Sequence, residues 1–189
     1  MTRDTRGVLV AVAAGMFLLV ALILVGRFSA AVIPPPNPSI GGPALSTPIT
    51  SIDPVDEMEQ RLVDLTNEQR TRARLRPLDR DRGLSAVARR HSEDMLRRGF
   101  FDHVNPDRQN PADRAARVPG LAAVAIGENI WMWSGSTLPT RNHLVEEAVA
   151  DWMASPAHRA NMLRPGYTRL GVGAAVTRSD VRLTAVFME

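Results

Sequence analysis

Imidazole is the side chain best suited to exchange a proton or hold a metal near neutral pH, and the chain has four: His91, His103, His143 and His158. Two of them sit beside turn-forming residues. His103 follows Phe100-Phe101-Asp102 and precedes Asn105-Pro106, so an apolar pair anchors the segment while the ring stays free. His158 falls on the first turn of a short helix opened by Ser155-Pro156, where the helix N-terminus disfavours its protonated form. Glu128 is a carboxylate within Ile126-Gly127-Glu128-Asn129-Ile130, an otherwise apolar strand. A charge in that setting must meet a cation, a metal or hydrogen-bond donors. Two imidazoles and one carboxylate suffice for a metal with an open coordination position. Their separations along the chain carry no metal signature, however. The alternative is that Glu128 caps or salt-bridges structurally and the two histidines hydrogen-bond to it.

The other candidates weaken on inspection. His91 is flanked by Ser92, Glu93 and Asp94, but neighbours along a helix do not face each other. It shares a stripe with Leu84, Val87 and Met95, which predicts a core or semi-buried histidine that could still line a cleft floor. His143, beside Asn142 at a helix start, reads as surface. Ser155 and His158 are close enough to meet, yet a capping role explains Ser155 more simply. There is no Gly-x-Ser-x-Gly elbow, no His-Glu-x-x-His zinc helix and no glycine-rich phosphate loop. Trp131 and Trp133 alternate on one strand face and predict core packing. The arginine runs around residues 70–76 and 80–98 read as solvated helical faces.

The elements that must position these residues follow from hydrophobic periodicity. Val55, Met58, Leu62 and Leu65 predict an amphipathic helix to about residue 74, stopped by Pro77. Residues 83–98 and 142–153 repeat the pattern, and a short helix follows Ser155-Pro156 through Leu163. Residues 102–111 are turn-forming by composition. Apolar runs over about 125–133, 170–176 and 182–187 predict strands, the last two joined as a hairpin. Helices precede and interrupt the strands without regular alternation, which predicts an α+β fold with an antiparallel sheet.

The first third differs in kind. Residues 7–26 carry no charge, long enough as a helix for a bilayer core of about 30 Å. Arg3 and Arg6 precede them and Arg27 follows, giving a slight preference for the N-terminus inside. Residues 1–27 are thus expected to be a single-pass membrane anchor; the alternative, a cleaved signal, would leave the protein secreted. Seven of the 14 prolines fall in residues 28–54, a linker, which leaves 55–189 as the domain, outside the cytoplasm on either reading. Of 189 residues 44% are hydrophobic, so the chain is not disordered. All 23 basic residues are arginine, which explains a pI near 10.7 at a net charge of +3. That balance argues against nucleic acid as partner. The absence of cysteine excludes disulfides, thiolate zinc sites and a cysteine nucleophile.

The strings LTNEQR (65–70), LSAVARRHSEDM (84–95), FFDHVNPD (100–107), IGENI (126–130), DWMASPAHRANML (151–163) and YTRLGVG (167–173) occur in an order that resembles the bacterial branch of the CAP superfamily, the SCP-like extracellular proteins. The resemblance covers residues 55–189 and implies an α-β-α sandwich: an antiparallel sheet between helical layers, with a surface cleft. It implies that His103, Glu128 and His158 occupy that cleft, with zinc or calcium as candidate metals and sterols or fatty acids as further ligands. Ser155 stands where eukaryotic members carry a second cleft glutamate, a departure that weakens a metal site. Asp107-Arg108 stands where Asp-Gly is common, and Thr184-Ala185-Val186 where aromatic or glutamine-containing strands are common. Two functions follow. The first is a non-catalytic binding module, tethered by its N-terminal helix to the membrane, whose cleft takes a metal ion, a lipid or a cell-wall component. The second is a hydrolase or peptidase in which a metal on His103 and His158 activates water and Glu128 serves as base or ligand.

Overall fold

The computed structural model describes residues 53–121 and 125–189. The expected anchor (1–27) and nearly all of the expected linker (28–54) lie outside the described residues. Among the described residues no helix is long and apolar enough to cross a membrane.

Helix α1 (Pro54–Arg72) starts where Asp53 accepts from Val55 N at 2.8 Å, with proline at its first position. Its Met58, Leu62, Val63 and Leu65 are buried. Helix α2 (Arg82–Arg98) is capped by Asp81, which accepts from Leu84 N at 2.9 Å, and ends at Gly99 in the left-handed region (φ 67°). Two further helices are α4 (Arg141–Ala154) and the short α5 (Pro156–Met162); the five-residue α3 (Pro111–Ala115) precedes them. The strands are β1 (Asp79–Arg80), β2 (Ile126–Ser134), β3 (Arg169–Val176) and β4 (Asp180–Met188).

They form one sheet in the order β1-β3-β4-β2. β4 pairs antiparallel with both β2 and β3, but β1 pairs parallel with β3, so the expected antiparallel sheet is in fact mixed. The cause is local. The Asn67 side chain donates to Leu78 O at 3.0 Å and accepts from Leu78 N at 2.8 Å. Its amide thus holds the chain after Pro77 as a backbone neighbour would, and feeds residues 79–80 in along β3.

Side chains alternate between the two faces of a strand, and the core divides accordingly. Leu170, Val172 and Ala174 of β3, with Leu183, Ala185 and Phe187 of β4, pack with α1, α4 and Met162 of α5. Val186 and Met188 face the other way, against Leu84, Val87 and Ala88 of α2 and Ala115 of α3. The result is helices on both faces of the sheet, the expected α-β-α layering. α2 lies so close that a Cβ at Gly171 or Gly173 would run into helix backbone at Leu84 and Arg89.

Two arginine readings need correction. Arg70 is fully buried, not solvated. Its Nη1 donates to Met162 O (2.9 Å) and Arg164 O (3.0 Å), and its Nε to Arg76 O (2.9 Å). It therefore closes the C-terminal end of α5, whose last carbonyls have no partner within the helix. Arg89 and Arg80 converge on Glu59, which is buried and also accepts from Ala174 N at 3.2 Å.

Candidate functional site

β2 is an edge strand, and the site is built on it. By alternation, Ile126 and Glu128 face the α2 layer, whereas Asn129 and Trp131 face α4 and α5. Consecutive residues of one strand can therefore reach segments on opposite sides of the sheet.

On the α2 side, the segment after Gly99 is set by side-chain bonds to its own backbone. Asp102 accepts from Val104 N at 2.9 Å, and Asn105 accepts from Asp107 N (3.1 Å) and Gln109 N (2.9 Å). Arg108 occupies the left-handed region (φ 62°), donating its N–H to Asn105 O at 2.8 Å. Arginine thus occupies a turn position whose backbone conformation favours glycine. Two buried side chains, a neutral imidazole and a guanidinium, hold this segment from beneath. His91 Nε2 donates to Asp102 O at 3.0 Å, and Arg114 Nη1 donates to His103 O and Gln109 O, each at 2.8 Å.

His103 is thereby brought over Glu128. Its Nδ1 donates to Glu128 Oε1 at 2.9 Å, because a carboxylate can only accept. The outward Nε2 is left for a ligand, and the side chain is 44% exposed. The other oxygen, Oε2, accepts from Arg114 Nη2 at 2.6 Å, with both side chains buried. His91 Nε2 lies 3.8 Å from Oε1. The buried carboxylate expected to need a cation has one.

Titration follows this geometry. The hydrogen bond to Glu128 raises the His103 pKa above the ordinary 6.5, against burial and the Arg114 charge. Burial lowers that of His91; its Nδ1 has no partner, so the neutral Nε2–H form is the one the site accommodates. Burial, then repulsion by His103, lowers that of His158.

His158 arrives from the other side of the strand. Its carbonyl accepts from Asn129 Nδ2 at 3.0 Å, and Asn161 Nδ2 donates to Asn129 Oδ1 at 2.9 Å. These bonds hold the His158 backbone beside Asn129, the strand neighbour of Glu128. Ser155 does occupy the N-cap position of α5, but its side chain makes no capping bond, which corrects that reading. It is the junction between α4 and α5, and α5 is held instead by Arg70 and by the two asparagines. His143 is on the surface, as expected.

Among the described residues, no group of three or more His, Cys, Asp or Glu is arranged to hold a metal ion. The donor set explains why the expected trio does not fit such a role as it stands: Glu128 is engaged at both oxygens, leaving His103 Nε2 and the His158 ring.

Arg114 and Asn129 were not singled out from sequence. Arg114 could have been found through its helix: Asn110-Pro111-Ala112-Asp113 carries a capping box and a proline at the first helical position. Both arms of that box form, at 3.0 Å each.

A helical layer on each face of a small sheet, with His103 bonded to a buried glutamate on its edge strand, defines an α-β-α domain. Profile comparison carries this further. The profile described as "Cysteine-rich secretory protein family", the CAP family, matches residues 63–188, and the chain belongs to that family. It is 39% identical over 119 residues to the Bacillus subtilis uncharacterized protein YkwD, covering 63% of this chain and 43% of that one. It is 31% identical over 115 residues to the Bacillus subtilis uncharacterized membrane protein YlbC, covering 61% and 31%. Among solved structures, an extracellular protein containing a SCP domain from Bacillus anthracis superposes with a TM-score of 0.59 at 30% identity, covering 71% of this chain and 41% of that one. This chain thus spans less than half the length of each of these three proteins.

Proposed function

We propose that this protein is a non-catalytic binding module of the cell envelope, with the cleft between His103 and His158 as its ligand site. The observation that carries the reading is the state of Glu128. A carboxylate locked by Arg114 Nη2 at 2.6 Å and His103 Nδ1 at 2.9 Å is a fixed anchor for an imidazole rather than a free base. That argues against the hydrolase alternative, in which Glu128 activates water. What the cleft offers a ligand is His103 Nε2, a donor when protonated and an acceptor when neutral. Phe101 (43% exposed) and Val104 (45%) flank it, two of the three large apolar side chains exposed among the described residues. This pairing suits an amphipathic ligand such as a lipid or a cell-wall fragment. A zinc or calcium ion would have to use the two imidazoles with water in the remaining positions.

A location outside the cytoplasm, by membrane anchor or by secretion, is supported by the uncharged stretch 7–26 and the proline-rich residues after it. It is further supported by relatives named as a membrane protein and an extracellular protein. The test is calorimetric titration of the full-length protein in micelles with zinc, calcium, phosphatidylglycerol and a soluble peptidoglycan fragment, beside the His103→Ala/His158→Ala variant. At least one probe should bind saturably and lose that binding in the folded variant. If none binds, or if binding survives the double substitution, the cleft assignment is wrong.

A further inference from the structure

A second polar site lies on the far side of Arg114. Between α2 and the segment 105–117 is a cavity of about 330 Å³ that neither His103 nor His158 lines, though it reaches the buried His91. Its wall is rigid: Asn105 is buried and holds two backbone N–H groups, and the capping box of α3 fixes the chain just beyond. Arg114 lines it as a buried guanidinium whose position is set by His103 O, Gln109 O and Glu128.

The charges around the rim are unequally satisfied. Arg97 is paired with Asp94, and Asp107 with Arg98. Arg90 and Arg117 also line the cavity, and neither makes an ion pair among the described residues. Against these two guanidinium groups stands Glu93, the one lining carboxylate without an ion pair among the described residues. The surplus is a single positive charge. Arg117 is steadied by the Gln109 amide oxygen, which accepts from its Nη1 at 2.9 Å, so its charge faces the cavity from a fixed position. The Arg90 guanidinium is the fork open to the two oxygens of a carboxylate or a phosphodiester.

We propose that this cavity binds a singly charged oxyanion group, the carboxylate of a peptide end or the phosphodiester of an envelope polymer or lipid, through Arg90 and Arg117. Because Arg114 joins its wall to Glu128 and His103, the two sites share one structural element, though neither depends on the other for its ligand.

The test is a titration of the full-length protein in micelles with sodium acetate and with dimethyl phosphate, at constant ionic strength set by sodium chloride, following backbone amide shifts. The expected result is saturable one-to-one movement confined to α2 and residues 105–117 with at least one anion. In Arg90→Gln/Arg117→Gln, both exposed positions, binding should weaken about tenfold or more. The exposed control Arg178→Gln should bind unchanged. Acetate alone binding assigns the site to a peptide carboxylate, and dimethyl phosphate alone assigns it to a phosphodiester. No saturable shift with either anion, or equal affinity in the double variant, overturns the proposal. Should the double variant unfold, Arg90→Gln alone decides by the same criterion.

Discussion

Replacing Arg114 with methionine probes the centre of the site, because it removes charge while keeping most of the apolar stem. Arg114 donates to Glu128 Oε2 at 2.6 Å and to His103 O and Gln109 O at 2.8 Å, and both members of the ion pair are buried. Removing one partner of a buried pair leaves the other charge uncompensated and costs about 3–5 kcal/mol. The lost bonds to two carbonyls lie within that range rather than adding to it, since the segment 103–109 can relax toward water. For a domain of this size, about 1 kcal/mol moves the melting midpoint by roughly 2–6 °C, so a fall of about 6–30 °C is expected. Urea unfolding of wild type, Arg114→Met, Glu128→Gln and the double variant forms a cycle. The double variant should be much less destabilised than the sum of the singles, with a coupling of about 2–3 kcal/mol. A loss below about 1 kcal/mol in Arg114→Met, or additive singles, would refute the claim that Glu128 is a charged, Arg114-held anchor.

Stability should respond to pH through two opposing kinds of histidine. The His103 pKa is raised, first by its bond to Glu128, so its contribution is complete below the ordinary 6.5 and is lost as pH rises through the folded value. The pKa values of His91 and His158 are lowered, first by burial, so they destabilise as pH falls below 6.5 through their folded values. Urea midpoints across that range should show both limbs, and His103→Asn should abolish only the alkaline one; an unchanged alkaline limb would contradict the His103–Glu128 bond. Arg108→Gly should raise stability by about 0.5–1 kcal/mol, as relief of the left-handed strain exceeds the added backbone entropy, and a fall in the melting midpoint would contradict this. Gly173→Ala should cost about 1–3 kcal/mol in the same assay because its Cβ meets α2 backbone at Arg89, whereas a neutral result would mean that the helix can withdraw.

The long helices and the three main strands were legible because each buries one face, and burial imprints a period on the sequence. β1 left no period: two residues are held by Asn67 from another element, and only the tertiary fold selects a parallel partner. α3 is too short for periodicity and its Asn and Pro read as turn, although its capping box was in plain view. Glu128 announced by its apolar surroundings that it must find a partner, and His91 announced its burial by sharing a stripe with Leu84 and Met95. For Arg114 only its helix could be read, from the capping box; its pairing with Glu128 could not, because an arginine that pairs across 14 residues looks like any surface arginine. Arg70 failed to show for the same reason: its partners are backbone carbonyls, which no side-chain pattern reveals. Sequence reasoning thus reached the residues that burial or strangeness marks, and missed the cations that fasten them.

The most direct measurement is the long-range proton–nitrogen NMR spectrum of the histidine rings, taken at a pH raised until the ring shifts of His103 stop changing, where its imidazole is neutral. His103 should carry its proton on Nδ1, facing Glu128, and leave Nε2 bare, while His91 should carry its proton on Nε2, facing Asp102. A His103 protonated on Nε2 would mean that Glu128 does not hold it, and the open nitrogen on which the binding cleft depends would not be there.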